Sequence, residues 1–173
     1  MPQTHAGRAT IVAIGAACTG AVMLLGSGAS LGGLPSTDAV SRLSGRWAGQ
    51  GTVTLSHGPA ENFKCVVNYL PGSDAQRIQQ NLRCGNDNHK LDAATYLQFD
   101  GSRVLGRWED KIHNLDGDVT GKLTPDGFSI LLAGRFFQAT MEVTGDTCSQ
   151  SVKVAPLRGA DNIREIAAAL RKC

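Results

Sequence analysis

An all-β fold, an antiparallel up-and-down barrel of eight to nine strands, is what this sequence predicts, and three observations carry the prediction. Helical periodicity is nearly absent between residues 46 and 156. Short runs of alternating apolar and polar residues recur there roughly every ten positions, the spacing of small β domains. Between the runs stand turn-forming clusters: HGPAEN, PGSD, GNDN, FDGS, NLDGD and TPDGF. Each such strand offers one apolar face that its neighbours must cover, and a sandwich or a closed barrel does this.

The chain has 173 residues, and the first thirty read as a signal peptide. Arg8 is followed by the apolar block ATIVAIGAACTGAVMLL and the small-residue exit GSGASLGG, which are the n-region, h-region and cleavage region of an exported chain. A retained membrane anchor is the alternative. A lipoprotein site at Cys18 lacks the large aliphatic residue expected three positions earlier. Removing residues 1–30 leaves roughly 140 residues, one domain. Of the 17 Lys and Arg, 16 then remain (17 less Arg8) against 15 Asp and Glu, and none forms a basic run. Binding nucleic acid needs clustered positive charge, so nucleic acid is excluded as a partner. Export places the protein in the periplasm or outside the cell, without a membrane span once the signal is cleaved.

Residues 31–42 form a linker with one helical turn started by Ser36 or Thr37. Residues 43–156 form the barrel, with strands near 46–56, 61–70, 76–85, 90–99, 102–109, 117–123, 127–133, 135–143 and 148–156. Asp-Gly pairs at 100–101, 116–117 and 126–127 suit tight hairpins, which need positive φ. Register is clearest in the second and third strands. Phe63, Cys65, Val67 and Tyr69 share one face, and Ile78, Leu82 and Cys84 share a face of the returning strand. Folding the hairpin about Asp74-Ala75 sets Cys65 opposite Cys84, close enough for a disulfide. Four cysteines remain after the signal, and an even count in an oxidising compartment reads as two bridges. Cys148–Cys173 follows by elimination. Residues 157–173 change period: Ile163, Ile166, Ala167 and Leu170 recur at helical spacing, Asp161 can cap, and Arg171 and Lys172 fill the last turn. A short amphipathic helix tied to the barrel through Cys148–Cys173 is therefore expected.

The inventory of chemistry is thin. No G-x-S-x-G, phosphate-binding loop or HExxH occurs, no Cys has metal-site spacing, and His57, His89 and His113 read as solvated loop histidines. Asn114, Asp116 and Asp118 in NLDGD resemble a calcium loop without its final Glu and read as a turn. Glu109 and Asp110 are adjacent, hence on opposite faces of a strand. We expect no catalytic residue, no metal and no cofactor. A monomeric binding protein is the remaining reading. A closed barrel holds a small apolar ligand if side chains do not fill it, and the candidate lining is Val53, Leu55, Val67, Tyr69, Leu82, Tyr96, Val104, Leu132, Phe136 and Met141. A dry, filled core made of the same residues is the alternative.

Gly45-x-Trp47 on the first strand, after a short helical turn, resembles the calycin barrels, the lipocalins and their relatives. That resemblance implies that Trp47 closes the narrow end, with a late Arg stacked on it, here Arg135 or Arg158. Gly106-x-Trp108 repeats the motif 61 residues on; a duplicated half-barrel or chance would each explain it. Gly45, Trp47, Gly106 and Trp108 are thus structural candidates. Gly45-x-Trp47 with Cys65 and Cys84 is also similar to small secreted bacterial metalloprotease inhibitors, which implies a secreted protease as partner, engaged by residues 31–40 (LGGLPSTDAV). Lys64-Cys65 to Tyr69, Leu82-Arg83-Cys84 and Gly106-Arg107-Trp108-Glu109 resemble a set of exported bacterial β-barrel proteins of unassigned function. The sequence thus points to a secreted or periplasmic, non-enzymatic binder of a small hydrophobic or amphipathic ligand, with protease inhibition as the alternative.

Overall fold

The structure, a computed structural model, describes residues 36–173; the expected signal peptide and residues 31–35 lie outside them. One helix, α1 (Ser36–Leu43), precedes ten strands: β1 (Gly45–Leu55), β2 (Glu61–Pro71), β3 (Arg77–Gly85), β4 (Lys90–Asp100), β5 (Arg103–Asp110), β6 (Leu115–Thr124), β7 (Gly127–Gly134), β8 (Gln138–Gly145), β9 (Ser149–Arg158) and β10 (Ile163–Arg171). Each strand pairs antiparallel with its sequence neighbour, and β10 pairs with β1 to close the barrel. The up-and-down barrel is as predicted, with ten strands in place of eight to nine.

The tenth strand is the segment expected to be the terminal helix. Its helical stripe of Ile163, Ile166, Ala167 and Leu170 coexists with a two-residue alternation. Ile166, Ala168 and Leu170 line the interior, while Ala169 and Arg171 are exposed. Alanine favours helix, so local preference pointed the wrong way. Tertiary pairing decides it: β1 and β9 would otherwise each carry an open edge of unpaired N–H and C=O groups. From Ala48↔Arg171 to Leu55↔Ile163, β10 satisfies one edge, and from Ile166↔Val154 to Arg171↔Ser149 the other.

Three turn expectations also change. Gly101 has φ 60°, as an Asp-Gly hairpin requires, but Asp116-Gly117 lies inside β6, the left-handed residue of the preceding turn being Asn114, φ 52°, and Gly127 of Asp126-Gly127 opens β7 without a positive φ. Gly117 pairs with both Trp108 and Gly134. A side-chain carbon on Gly134 would sit 3.1 Å from Cζ2 of Trp108, so glycine there leaves room for the indole. The eighth strand starts at Gln138, not 135, which leaves Arg135 and Phe136 in a turn.

Register in the β2–β3 hairpin is as read: Cys65 pairs with Cys84, with Cα atoms 4.1 Å apart, and the two are bridged. Cys148–Cys173 is the second bridge and ties the end of β10 to the β8–β9 turn. Asp146 organises that turn by accepting from the Cys148 and Ser149 amides, both at 2.7 Å. Those two amides hold its carboxyl below the usual carboxylate range.

One end of the barrel is plugged. Ala39, Val40 and Leu43 of α1 are buried there, and Trp47 is 0 % exposed. The turn from α1 into β1 uses Gly45 at φ 114°, a region that costs glycine least. Indole Nε1–H of Trp47 donates to the Leu43 carbonyl at 2.7 Å, satisfying the end of α1. The cation over this Trp is Lys172, not Arg135 or Arg158: its Nζ lies 4.8 Å from the ring centroid. Arg135 instead covers Phe136, and Arg158 donates to the Gly134 and Arg135 carbonyls. Above the plug, Val67, Phe99, Val104, Val119, Phe128 and Val143 fill the barrel. Within this fill Tyr69 donates to Gln150 at 3.1 Å and accepts from Gln80 at 3.0 Å, all three buried.

Candidate functional site

Packing stops halfway up. In the half of the barrel away from α1, the walls enclose a cavity of about 640 Å³, within the size range of small-molecule sites. Its apolar wall includes Val53, Phe63, Leu82, Leu132, Met141, Val152, Val154, Ile166, Ala168 and the half-cystines Cys65 and Cys84. Strand alternation produces this lining: every second residue faces inward. Small inward residues keep it hollow, among them Ala93 on β4 and Ala168 on β10. The opening lies at the β3–β4, β5–β6 and β9–β10 turns, whose residues His89, Ile112, His113, Gly159 and Ala160 form the rim.

Polar groups concentrate on the β4–β5 wall and the rim. Thr95 and Trp108 are cross-strand partners facing the cavity, and Trp108 Nε1 has no protein acceptor. Next along β5, Asp110 is buried, and its carboxylate accepts from the Ile112 and His113 amides at 2.9 and 3.3 Å. It also lies 2.6 Å from His113 Nδ1. With Nδ1–H given to Asp110, the free nitrogen of His113 is Nε2. Glu109 faces outward, as adjacency requires. His89 is held in a related way, its Nδ1 3.2 Å from Glu61. Asn88 and Asn86 also donate to Glu61 and hold its carboxyl below the usual range, with His89 adding to the effect.

Among the expected lining residues, Val53, Leu82, Leu132 and Met141 reach the cavity. Val67, Tyr69 and Val104 face inward but belong to the filled half, and Leu55, at the mouth end of β1 beyond Val53, is partly buried against the core. Tyr96 and Phe136 do not face inward. Tyr96 is 46 % exposed on the outer wall, its hydroxyl donating to Glu109 at 3.3 Å, and Phe136 is 65 % exposed in its turn. Alternation counted back from inward Met141 selects Ala139 and Phe137, not Phe136; Phe137 packs edge-on to Trp108, centroids 5.5 Å apart, and Phe136 stands in the turn before β8. The two Gly-x-Trp motifs serve different ends. Trp47 plugs the closed end, whereas Trp108 is a wall residue near the mouth, and Gly106 pairs with Leu97 and Val119 between them.

His89 and His113 stand part-exposed in turns, as expected, and in addition line the mouth and carry carboxylate partners. The signal available in sequence was Asp110-x-x-His113 at a strand end, where a buried acid can turn back onto the imidazole. Residues 36–40 of the segment expected to reach a protease lie in α1, with Ala39 and Val40 buried in the plug. Among the described residues no group of three or more His, Cys, Asp and Glu is placed to hold a metal ion.

No protein-family model matches the chain, and no curated protein matches it. Solved structures do. Rv2717c from M. tuberculosis superposes with a TM-score of 0.66 at 14 % identity, over 80 % of this chain and 98 % of that one. The S-type phycobiliprotein lyase CPES from Guillardia theta gives 0.58 at 9 % identity, over 79 % and 91 %. At such identities the likeness is one of fold, a ten-stranded antiparallel barrel.

Proposed function

We propose that this chain is a non-enzymatic binding protein that takes a small apolar or amphipathic ligand into the open half of its barrel. One observation carries the reading: a cavity of about 640 Å³ with apolar walls and polar groups gathered on one wall and at the mouth. An apolar body entering it leaves water at roughly 25 cal/mol for each Å² buried, while a polar end can stay at the rim beside His89, Lys90 and His113. Thr95 and Trp108 offer hydrogen bonds part-way down. Two disulfides suit an oxidising compartment, consistent with export, and the protein acts there as a monomer.

Native mass spectrometry of the protein isolated from its own source tests this, together with titration of the fluorescent probe anilinonaphthalene sulfonate. A copurifying lipid-sized mass and a saturable one-to-one probe signal are expected. Absence of both would remove the proposal. The Asp110–His113 pair favours a second reading, acid–base chemistry at the mouth by His113 Nε2. Turnover of a bound ligand that is lost in His113→Gln, with affinity unchanged, would replace binding with catalysis.

A further inference from the structure

The mouth of the barrel is chemically lopsided. Three successive tips on its β5–β9 side each expose a large apolar side chain beside a basic one: Lys111-Ile112 in the β5–β6 turn, Arg135-Phe136 in the β7–β8 turn, and Leu157-Arg158 at the end of β9. Ile112 is 50 % exposed and Leu157 59 %, and Phe136 is the most exposed of the three. The other exposed large apolar residues among those described, Leu70, Tyr96 and Leu105, belong to the outer wall of β2, β4 and β5.

The tips are built to stay out. Gln138 pairs with Arg158 and Ala139 with Pro156, so Leu157 is the extra residue of a β-bulge. A bulge at a barrel rim re-aims a side chain. Arg158 then reaches across, donating to the Gly134 and Arg135 carbonyls at 3.1 and 3.2 Å, which clamps the Phe136 turn beside it. Arg135 lies 4.9 Å over the Phe136 ring. Most acidic groups on this arc are occupied: Asp110 turns inward to His113, Glu109 lies 3.9 Å from Lys111 and Asp116 3.4 Å from Arg107, which leaves Asp118 farther down the outer wall of β6. On the adjoining β9–β10 loop and the start of β10, Asp161, Arg164 and Glu165 leave one net negative charge, outside the three tips. Glu61 and Asp87 sit on the opposite side of the mouth.

We propose that the β5–β9 side of the mouth docks on an anionic lipid surface. Exposed Ile, Phe and Leu enter the boundary between headgroups and acyl chains, and Lys111, Arg135 and Arg158 meet the phosphates. Docked in this way, the apolar cavity opens onto the membrane, and a ligand crosses without passing through water.

Flotation of the purified protein tests the docking, using vesicles of pure phosphatidylcholine and vesicles with about a third phosphatidylglycerol. Wild type should float with the anionic vesicles, less so as salt rises, and stay behind with neutral ones. Phe136→Ser/Leu157→Ser and Lys111→Gln/Arg135→Gln, none of them cavity residues, should each lower the partition roughly tenfold, while Leu70→Ser/Leu105→Ser on the outer wall leaves it unchanged. The charge variant alters no core packing, and retained binding of anilinonaphthalene sulfonate in every variant reports an intact barrel and cavity. Equal flotation with both vesicle types, no flotation of wild type, or an equal loss in the outer-wall variant would overturn the docking. Cavity binding, read in solution, stands or falls independently.

Discussion

Lys172 places its ammonium 4.8 Å from the Trp47 ring centroid while donating to the Arg42 and Ser44 carbonyls, each at 3.0 Å. Three separate parts of the chain meet in this contact: the end of α1, the start of β1 and the residue after β10. The carbonyls at the end of α1 carry partial negative charge, the indole face is electron-rich, and one lysine answers both. Replacing it with methionine keeps the stem packed and removes the charge. We expect Lys172→Met to lower stability by about 2 kcal/mol, from the cation–π contact and two charge-assisted hydrogen bonds. The urea midpoint should fall with the slope unchanged. Lys172→Arg should recover part of the loss, since guanidinium also stacks on aromatic faces. Probe binding at the far end should not change in either variant.

Tyr69 gives the molecule an alkaline limit. Burial pushes its phenol well above the ordinary value of 10, and the hydrogen bond it receives from Gln80 only partly offsets this. The unfolded chain releases this proton near pH 10 and the folded one does not, so proton release favours unfolding. Stability from this group is full below pH 10 and declines above it, by about 1.4 kcal/mol per pH unit. Urea denaturation between pH 8 and 11, a range of about three units, should show the decline, and Tyr69→Phe should flatten it. At pH 7 the same substitution should cost about 1–3 kcal/mol, because Gln80 Nε2 and Gln150 Oε1 lose their partner. A steep alkaline decline that persists in Tyr69→Phe would assign it elsewhere.

The barrel was legible where strands alternate strongly and turns carry Gly, Pro, Asn or Asp, as at Phe63-x-Cys65-x-Val67-x-Tyr69. That alternation also set the Cys65–Cys84 register. β10 was not legible because alanine-rich IREIAAALR satisfies both periods, and its choice depends on edges of β1 and β9 that lie more than a hundred residues and one turn away, respectively. The cavity was half legible. Alternation tells which residues face in, but how far up the barrel large side chains continue depends on which rows meet. Ala93 faces Leu82 and Asp110, and Ala168 faces Gly51 and Val152, pairings no single strand reveals. The carboxylate-backed histidines were missed for a related reason: His89 acquires Glu61 from another strand, and Asp110 counts as a partner for His113 only once it is seen to turn inward.

The two disulfides should be separable by where their loss is felt. Each closes a loop whose entropy is worth about 3 kcal/mol, for sequence separations of 25 for Cys148–Cys173 and 19 for Cys65–Cys84. Cys148→Ser/Cys173→Ser frees the end of β10, so amide exchange should accelerate first in Ile163–Arg171. Cys65→Ser/Cys84→Ser changes atoms of the cavity wall, so probe affinity should fall as well as stability. Equal exchange rates in β10 with and without Cys148–Cys173 would mean that the β1 and β9 ladders alone hold it.

Neighbouring alanines on β10 offer the sharpest test of cavity and strand together. Ala168 faces the cavity, between Gly51 and Val152, whereas Ala169 is exposed on the outer wall. Successive strand residues point to opposite faces, so the same substitution at the two positions should have unlike effects. Ala168→Leu puts a branched chain into space a ligand would occupy. Probe affinity should drop roughly tenfold, while stability holds or rises by up to about 1 kcal/mol as apolar volume is filled. Ala169→Leu should leave affinity unchanged and add only surface. Were the segment a helix laid on the barrel, 168 and 169 would differ by a rotation of about 100° and neither would reach the interior. A fall in affinity confined to Ala168→Leu therefore reports the inward face of a strand, and equal effects at the two sites would argue against both the strand and the cavity wall it completes.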